Sequence, residues 1–447
     1  MANKKELNFC QKIVDKGLEM GLDEVEVYFN SSKNIDIVWE KGDLQIPKTD
    51  LYQGFGVRVL KNGGSGFASS NVLSQKEAEK TLKRAEQIAE VTPPDEEKTL
   101  PQAADINYVK EIVDEENNNM TLDKAVEKGR EFVENFLNYD QRVKLDSANF
   151  SSYLSKRGIV NSKGIKAFEE KTVFENMAMA FARDRDRVSS FDISFQTDCK
   201  LSELDLKKES RVLAEKVVNA LDAESVRSFH GSVILSPFSA LSIIASPLNF
   251  AVNGENVING VSPWTDKLGE KVAVSDMKVI DNAYLDGGVG SRSFDREGVP
   301  PQKINIIKDG SLQNFLHNSF TARRMNTEST GHAGGGAQSE PGISPSNFII
   351  EPGGKSLEEI IRDTKQGILV NRFSGNTDPV SGDFSGVVKG GKYIENGEIV
   401  KPIKGVMIAG NIYQLFHNIS AFSDSLKNIQ NFRLPHIRLE NVSVTGQ

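Results

Sequence analysis

Apolar residues recur at helical spacing near the N-terminus and then alternate with polar residues, which predicts a helix followed by strands. The helix is predicted over Lys4–Met20, with one apolar face. Alternation over Glu24–Phe29 and Ile35–Trp39 predicts two strands, because successive side chains of a strand point to opposite faces. Gly54–Ala68 is predicted to be a hairpin, since Asn62-Gly63 at its centre favours the positive φ angles of a tight turn.

A second helix closes this first unit. Ser74 and Glu77 have the spacing of a capping box, in which the two side chains satisfy backbone N–H groups at the start of a helix. Apolar residues follow at helical spacing. Residues 1–100 are therefore predicted to form an N-terminal unit of helix, antiparallel sheet and helix.

The chain after residue 100 is predicted to contain a middle unit. A polar, proline-containing stretch at about 92–119 indicates a linker. Residues 101–225 then show helical periodicity over Thr121–Asn138 and at about 202–221, with strand-like segments between them. This pattern predicts a middle α+β unit.

The third predicted unit, 226–447, is dominated by hairpin signals. Glycine-containing turns are predicted at Lys308–Ser311, Lys389–Lys392 and Glu395–Glu398. Strands joined by tight turns run antiparallel, because parallel neighbours need long crossover connections. The predicted fold class is therefore α+β, with mostly antiparallel sheets, flanking helices and a hairpin-rich C-terminal domain.

Composition and charge narrow the class of protein. The chain has 447 residues, of which 38% are hydrophobic and 26% charged, and this is globular composition. The formal net charge of -8 disfavours nucleic-acid binding, which would need a local basic patch. Gly231–Gly254 has no charged residue, but its polar residues and prolines predict a buried strand and helix and not a membrane span. Met1–Leu7 shows no secretory signal, so a cytoplasmic location is expected.

Recognisable metal and phosphate motifs are missing from the sequence. The five histidines are His230, His317, His332, His417 and His436. None of them is followed by Glu, and Cys10 and Cys199 form no metal-type spacing. Gly386–Lys392 resembles the start of a phosphate loop, but Tyr393 stands where a magnesium-binding hydroxyl is needed.

Two short clusters offer weaker candidate chemistry. Asp295 and Glu297 would project to one face of an extended segment and could act as acid and base if burial separated their pKa values. A charge cluster at a turn is the preferred interpretation of this pair. Ser329 and Thr330 lie beside His332, but nearness in sequence is not the geometry of a catalytic triad. The residues alone identify no activity.

Several segments together resemble the TldD/PmbA family, once described as modulators of DNA gyrase. They occur in family order and reach from the first unit to the C-terminus, while the middle unit is similar only in layout. The segments are GFGVRVLKNGGSGFASSN (54–71), FDREGVP (294–300), KDGSLQNFLHNSFTARRM (308–325), STGHAGGG (329–336), PSNFIIEPGGKSLEEII (345–361), SGDFSGVVKGGKYIENGEIVKPIKGVMIAGN (381–411) and VSVTG (442–446).

The resemblance implies a cytosolic metallopeptidase assembly that pairs a TldD-type subunit with a PmbA/TldE-type subunit. The TldD type carries H-E-x-x-x-H on a buried helix and a cysteine near its C-terminus. The corresponding helix here, Pro237–Ala251, has neither His nor Glu, and apolar or small residues occupy Ala245–Phe250, where the motif would fall. No cysteine follows Cys199. The resemblance therefore implies a PmbA/TldE-type subunit with no catalytic or metal-binding residue, and zinc only in a TldD-type partner.

The function implied by this resemblance is proteolysis of unfolded or modified small peptides by the whole assembly. The partner would be a TldD-type subunit in a heterodimer, or a second copy in a homodimer. An extended peptide would bind an edge strand through main-chain hydrogen bonds. The residues proposed for a cleft or interface are Ser329, Thr330, Gly331, His332, Gly382, Asp383 and Phe384.

Two alternatives stay open at the level of the sequence. One is a stand-alone hydrolase with an atypical site built from His332, Asp295 and Glu297. The other is a binding protein that modulates a gyrase or toxin system, as the older family description suggests.

Overall fold

The first half of the chain is organised around an eight-stranded antiparallel sheet. The computed structural model describes residues 2–446. The strand order is β4-β3-β1-β5-β6-β7, with β2 paired to β1 and β8 paired to β6. The elements of this half are α1 (Ala2–Glu19), β1 (Glu24–Glu40), β2 (Asp43–Leu44), β3 (Lys48–Lys61), β4 (Gly64–Ser70), α2 (Gln75–Val91), α3 (Leu122–Leu137), β5 (Val143–Asn161), β6 (Lys166–Asp184), β7 (Arg187–Val188), β8 (Asp192–Asp198) and α4 (Leu206–Asn219).

The alternation along β1 separates the two faces of this sheet. The odd-numbered apolar residues, such as Val27 and Ile37, belong to hydrophobic clusters formed with the helices. The even-numbered residue Tyr28 packs instead with Phe294 and Ala337 of the C-terminal half. The period of two in the sequence thus places helices on one face and the C-terminal half on part of the other.

The C-terminal half contains two larger sheets with a shared hydrophobic core. The strand orders are β12-β11-β10-β15-β24-β23 and β17-β18-β21-β25-β9-β16-β19-β20, with β22 paired to β25. Its elements are β9 (Phe229–Leu235), α5 (Pro237–Ala240), α6 (Ser246–Ala251), α7 (Gly254–Ile258), β10 (Val279–Asp281), β11 (Ile304–Lys308), β12 (Ser311–Leu312), α8 (Ser319–Arg324), β13 (Ala333–Gly334), β14 (Gly342–Ile343), β15 (Phe348–Ile350), α9 (Leu357–Arg362), β16 (Gln366–Val370), β17 (Arg372–Thr377), β18 (Asp383–Lys389), β19 (Gly391–Glu395), β20 (Glu398–Ile403), β21 (Met407–Asn411), α10 (Ile412–Leu415), β22 (Ile419–Phe422), β23 (Lys427–Ile429), β24 (Phe432–Leu434) and β25 (Ile437–Thr445).

The predicted fold class is confirmed. Most strand pairs are antiparallel, while β9 with β16 and β15 with β24 are parallel pairs of the two larger sheets. Helices flank the sheets, and the uncharged stretch after residue 230 forms β9 and a buried helical segment. No helix within residues 2–446 is long and apolar enough to cross a membrane.

The turn predicted at Asn62-Gly63 and the helix cap predicted at Ser74 are both present. Asn62 and Gly63 have φ angles of 50° and 78° in the β3–β4 turn, so both adopt the left-handed conformation that the turn requires. Ser74 accepts a hydrogen bond from the Glu77 backbone at the start of α2. At the start of α3, Thr121 forms a cap that was not predicted and accepts a hydrogen bond from the Lys124 backbone N–H.

Two predicted features of the sheets were wrong. The strands expected at Glu24–Phe29 and Ile35–Trp39 are one continuous strand, β1, because the polar residues between them pair with both β3 and β5. The hairpin expected at Lys389–Lys392 does not form, since β18 pairs with β17 and β21 while β19 pairs with β16 and β20. Only Gly390 separates these strands, which is too short for a two-residue hairpin turn.

The division of the first half into units at about residue 100 does not correspond to separate sheets. β1 from the predicted N-terminal unit pairs directly with β5 from the predicted middle unit, in register from Glu26 opposite Asn161 to Glu40 opposite Ser147. Residues 1–225 thus contribute strands to one sheet, whose opposite edges come from the two predicted units.

Candidate functional site

The helical segment that the resemblance associates with the metal site lies inside the C-terminal core. It consists of α5, a π-helical turn over Leu241–Ala245, and α6. Ile243, Ile244, Ala245 and Leu248 are fully buried. Zinc needs nitrogen, sulfur or carboxylate ligands, and these side chains supply none. The segment therefore does not fit a zinc ion, and within residues 2–446 no three His, Cys, Asp or Glu side chains are grouped to hold a metal.

A widened turn accommodates the proline in this segment. The Ser246 backbone N–H donates to the carbonyl oxygen of Leu241, five residues earlier, just before Pro247. Such a turn gives the proline ring room beside the preceding carbonyl groups and makes its missing N–H less costly. Pro247 therefore does not end the helical segment, because α6 continues to Ala251.

The predicted residues Gly382, Asp383 and Phe384 lie next to this helical segment. The Tyr413 hydroxyl donates to the carbonyl oxygens of Pro379, at 2.6 Å, and Pro247, at 3.3 Å, and so connects the two regions. A Cβ atom on Gly382, whose φ is 82°, would stand 2.3 Å from the Tyr413 ring. Phe384 is buried, whereas Asp383 is exposed.

The predicted loop residues at 329–332 are mostly buried and support a neighbouring helix. The Thr330 hydroxyl accepts a hydrogen bond from the His317 backbone N–H at 2.8 Å, and the His317 ring lies 3.1 Å from the Thr321 hydroxyl on α8. His332 is fully buried, with Nδ1 2.8 Å from Thr330 Oγ1 and Nε2 2.9 Å from Asp281 Oδ1. Gly331 is also buried and Ser329 is half-buried, so this loop lies behind α8 and not on an open surface.

A buried network of charged side chains joins the N-terminal sheet to the C-terminal half. Glu26 accepts hydrogen bonds from Arg58 Nη2 at 2.7 Å and Arg296 Nη1 at 3.1 Å. Arg58 Nη1 also donates to Glu297 Oε1 at 2.9 Å. The Arg296 guanidinium stacks 3.9 Å from the centre of the Tyr28 ring. Alternating carboxylates and guanidiniums thus pair with one another in a largely buried setting, while Arg58 Nε and Arg296 Nη2 meet no acceptor in the described structure.

A cavity of about 170 Å³, lined by charged and apolar side chains, opens above this network. Arg58 and Glu297 contribute to its walls, together with residues of α8 and of the segment after α2. The lining residues from these and neighbouring segments include Lys98, Glu255, Asn318, Phe320, Arg323 and Glu340. Cationic and anionic side chains are balanced here, so the cavity is suited to a polar group with both donors and acceptors.

The carboxylates of Asp295 and Glu297 are used by neighbouring donors. Asp295 accepts the backbone N–H groups of Glu297, Val299 and Ala333 at 2.8–3.0 Å. Burial and the nearby Glu297 charge raise the pKa of Asp295 to about 7. Burial also acts on Glu297, but the Arg58 charge and the Ser319 N–H lower its pKa. The two pKa values are separated, but every oxygen already holds a donor, so the pair braces the 295–299 turn.

Comparison with protein-family models matches the chain over most of its length. Models of the PmbA/TldA metallopeptidase match domain 1 over residues 25–89, the central domain over 115–222 and the C-terminal domain over 229–446. The chain belongs to the TldD/PmbA family. Its relatives include proteins named PmbA and TldE, in agreement with the predicted PmbA/TldE type.

Relatives of the TldD/PmbA family resemble the chain along nearly its full length. A metalloprotease of Methanocaldococcus jannaschii is 28% identical over 437 residues, covering 91% of each chain. Metalloprotease PmbA of Escherichia coli O157:H7 is 24% identical, covering 95% of this chain and 93% of the relative. The crystal structure of TldE from Thermococcus kodakarensis has a TM-score of 0.90 at 23% identity, covering 98% of this chain and 100% of TldE. A Thermotoga maritima protein described as a candidate modulator of a DNA gyrase has a TM-score of 0.88 at 24% identity.

Most residues of the buried network were not predicted from the sequence. Glu26 and Arg58 stand directly opposite each other on β1 and β3. They occupy the face of the sheet that also carries Tyr28, which alternation alone suggested would be polar and exposed. The missing information was that the segment around Arg296 covers this face.

Proposed function

We propose that this chain is a metal-free, non-catalytic subunit of a cytoplasmic TldD/PmbA-type peptidase. It would pair with a TldD-type subunit, or with a second copy of itself, and help to enclose a cleft for unfolded or modified small peptides. The observation that carries the proposal is the apolar helical segment Leu241–Ala251. Its buried side chains fill the core of a family fold at the position where the TldD type is expected to hold its metal.

Cleft residues contributed by this subunit would come from the regions beside that segment. Gly382 and Tyr413 connect it to the start of β18, and α8 lines the 170 Å³ cavity. Among the described residues, the nine-stranded sheet ends on β17 and β20. Edge strands of this kind offer unpaired backbone groups to an extended peptide and tolerate varied side chains.

The stand-alone hydrolase has weaker support. A general acid or base must reach the substrate, but both ring nitrogens of His332 are within hydrogen-bond distance of Thr330 and Asp281. Asp295 and Glu297 are likewise held by backbone N–H groups. The polar atoms of these three residues are engaged in structural contacts, which favours the subunit proposal.

The test is to measure metal content and peptide hydrolysis for the purified chain alone and after mixing with a TldD-type subunit from the same genome. We expect no bound metal and no hydrolysis alone, and hydrolysis with a co-eluting complex after mixing. His332→Ala distinguishes the hydrolase alternative, with the exposed His230→Ala as its matched control. One metal per chain, or activity alone that His332→Ala abolishes and His230→Ala keeps, would overturn the proposal. Recovery of a gyrase or toxin-system protein in place of a TldD-type chain would support the modulator alternative.

A further inference from the structure

A second polar cavity, of about 310 Å³, lies between the β5–β6 pair and the C-terminal half. Arg157 and Glu169 face each other across β5 and β6, and Lys171 follows on β6. Arg292 enters from the C-terminal half. The side chains that line the cavity therefore include three cations and one carboxylate.

The single carboxylate of this cavity is already neutralised. Glu169 Oε2 accepts a hydrogen bond from Arg157 Nε at 2.9 Å and a second one from Arg157 Nη2. Glu169 Oε1 accepts the backbone N–H of Ser293 at 2.7 Å. Arg157 and Glu169 thus form a paired unit, and the charges of Lys171 and Arg292 remain.

Neither Lys171 nor Arg292 forms an ion pair with a carboxylate among residues 2–446. Lys171 Nζ donates to the carbonyl oxygens of Val289 and Ser291, and burial lowers its pKa to about 8. Arg292 is only 9% exposed, and Nη2 donates to the Ser344 carbonyl at 2.9 Å. The buried Nε–H group of Arg292 meets no acceptor in the described structure. Arg292 is buried and Lys171 is half-buried, and holding such cations away from water without an anion is costly.

Nearby carboxylates are engaged elsewhere. Asp281 and Asp295 are close enough to influence the pKa of Arg292, which burial lowers. Asp281, however, accepts from the Ser346 backbone N–H at 2.9 Å and lies 2.9 Å from His332 Nε2. Asp295 accepts three backbone N–H groups. Glu169 also acts on Arg292, but its oxygens are held by Arg157 and the Ser293 N–H. An anion that contacts Lys171 and Arg292 directly would therefore come from outside the described chain.

We propose that this cavity binds an oxyanion, in the form of a carboxylate or phosphate group, between Lys171 and Arg292. A volume of about 310 Å³ holds such a group together with several waters, since one water occupies roughly 30 Å³. Guanidinium and ammonium groups give charge-assisted hydrogen bonds to oxyanions, which are stronger than those between neutral groups. The proposal concerns only this chain and does not depend on a TldD-type partner.

Calorimetric titration of the purified full chain with sodium phosphate tests the site, with sodium chloride at equal ionic strength as the blank. Lys171→Gln and Arg292→Gln each remove one cation of the cavity. Lys156→Gln is the matched control, because Lys156 pairs with Glu170 on the same two strands at 2.9 Å and does not line the cavity. We expect wild type and Lys156→Gln to bind alike, and the two cavity variants to bind at least about tenfold more weakly. Circular dichroism of each variant checks its folding, and Lys171→Gln suffices if Arg292→Gln does not fold.

A second titration distinguishes the possible sources of the oxyanion. An acetylated dipeptide with a free carboxylate is compared with the same dipeptide as its C-terminal amide. Binding of the acid but not the amide, lost in Lys171→Gln, supports a peptide carboxylate, whereas binding of phosphate alone supports an inorganic anion. The proposal is overturned if wild type binds neither phosphate nor the acid, or if Lys156→Gln weakens binding as much as Lys171→Gln.

Discussion

Glu26→Gln tests how the N-terminal sheet is attached to the C-terminal half. Glu26 is 1% exposed and bridges Arg58 and Arg296, which come from different halves of the chain. Glutamine keeps the size of the side chain and removes its charge. Arg58 would keep Glu297 as a partner, but Arg296 would lose its carboxylate while remaining 2% exposed.

The expected loss in the free energy of unfolding depends on the contacts that Arg296 retains. Removing one partner of a buried ion pair costs about 3–5 kcal/mol, because a desolvated charge is left without compensation. Arg296 retains its stacking on Tyr28 at 3.9 Å and a hydrogen bond from Nε to the Gly336 carbonyl at 3.2 Å. These contacts favour the lower end of the range. We expect the free energy of unfolding to fall by about 3 kcal/mol.

Urea unfolding followed by tryptophan fluorescence measures this loss, because Trp39 lies in the first sheet and Trp264 in the C-terminal core. Glu270→Gln is the control. Glu270 pairs with Lys267 at 2.7 Å, but both side chains are about half exposed, so the expected loss is below about 1 kcal/mol. The double variant Glu26→Gln/Arg296→Met should lose less than the sum of the two single variants. A loss for Glu26→Gln no larger than that of the control would refute the reasoning.

Three further predictions concern His317, Gly382 and Tyr413. Burial lowers the pKa of His317 to about 4 from 6.5, so the unfolded chain takes up a proton first and stability falls as pH decreases from about 6.5 to 4. The free energy of unfolding is measured in urea at pH 7 and pH 4.5, and His317→Asn should reduce the difference between the two values by up to about 3 kcal/mol. An unchanged difference would contradict the assignment. Gly382→Ala should lower the unfolding midpoint more than Gly405→Ala, since both glycines have positive φ but only Gly382 faces the Tyr413 ring; equal losses would show that the ring moves freely. Tyr413→Phe should cost about 1–2 kcal/mol, because the hydroxyl bonds to the Pro379 and Pro247 carbonyls, and a neutral result would mean that these bonds contribute nothing.

The features predicted correctly from the sequence are those decided within a few residues. The Asn62-Gly63 turn depends on two φ angles, and the cap at Ser74 depends on the backbone N–H of Glu77, three residues later. The apolar segment Pro237–Ala251 was also predictable as a buried helix, because it has no charged residue and its many apolar side chains favour the protein interior. The π turn before Pro247 was not predicted, since it reflects how the helix adapts to a proline within a packed core.

Features that depend on distant partners could not be predicted. Glu26 and Arg296 are 270 residues apart in sequence, and no spacing rule connects them. The same holds for the polar middle of β1, which stays extended because strands on both sides supply hydrogen bonds. His332 was proposed for a cleft or interface because of the family resemblance of its loop, whereas its partner at Nε2 is Asp281, which lies far from it in the sequence.

A structural charge differs from a functional one in whether a counter-charge contacts it. The close spacing of Asp295 and Glu297 suggested acid–base chemistry, but three N–H donors hold Asp295, and Arg58 with the Ser319 N–H holds Glu297. Lys171 and Arg292 showed no motif, yet within the described chain the half-buried Lys171 and the buried Arg292 form no ion pair with a carboxylate. Since a buried charge without a counter-ion is unfavourable, the second pair needs a ligand and the first does not. A search for binding chemistry in this fold should therefore begin at the 310 Å³ cavity.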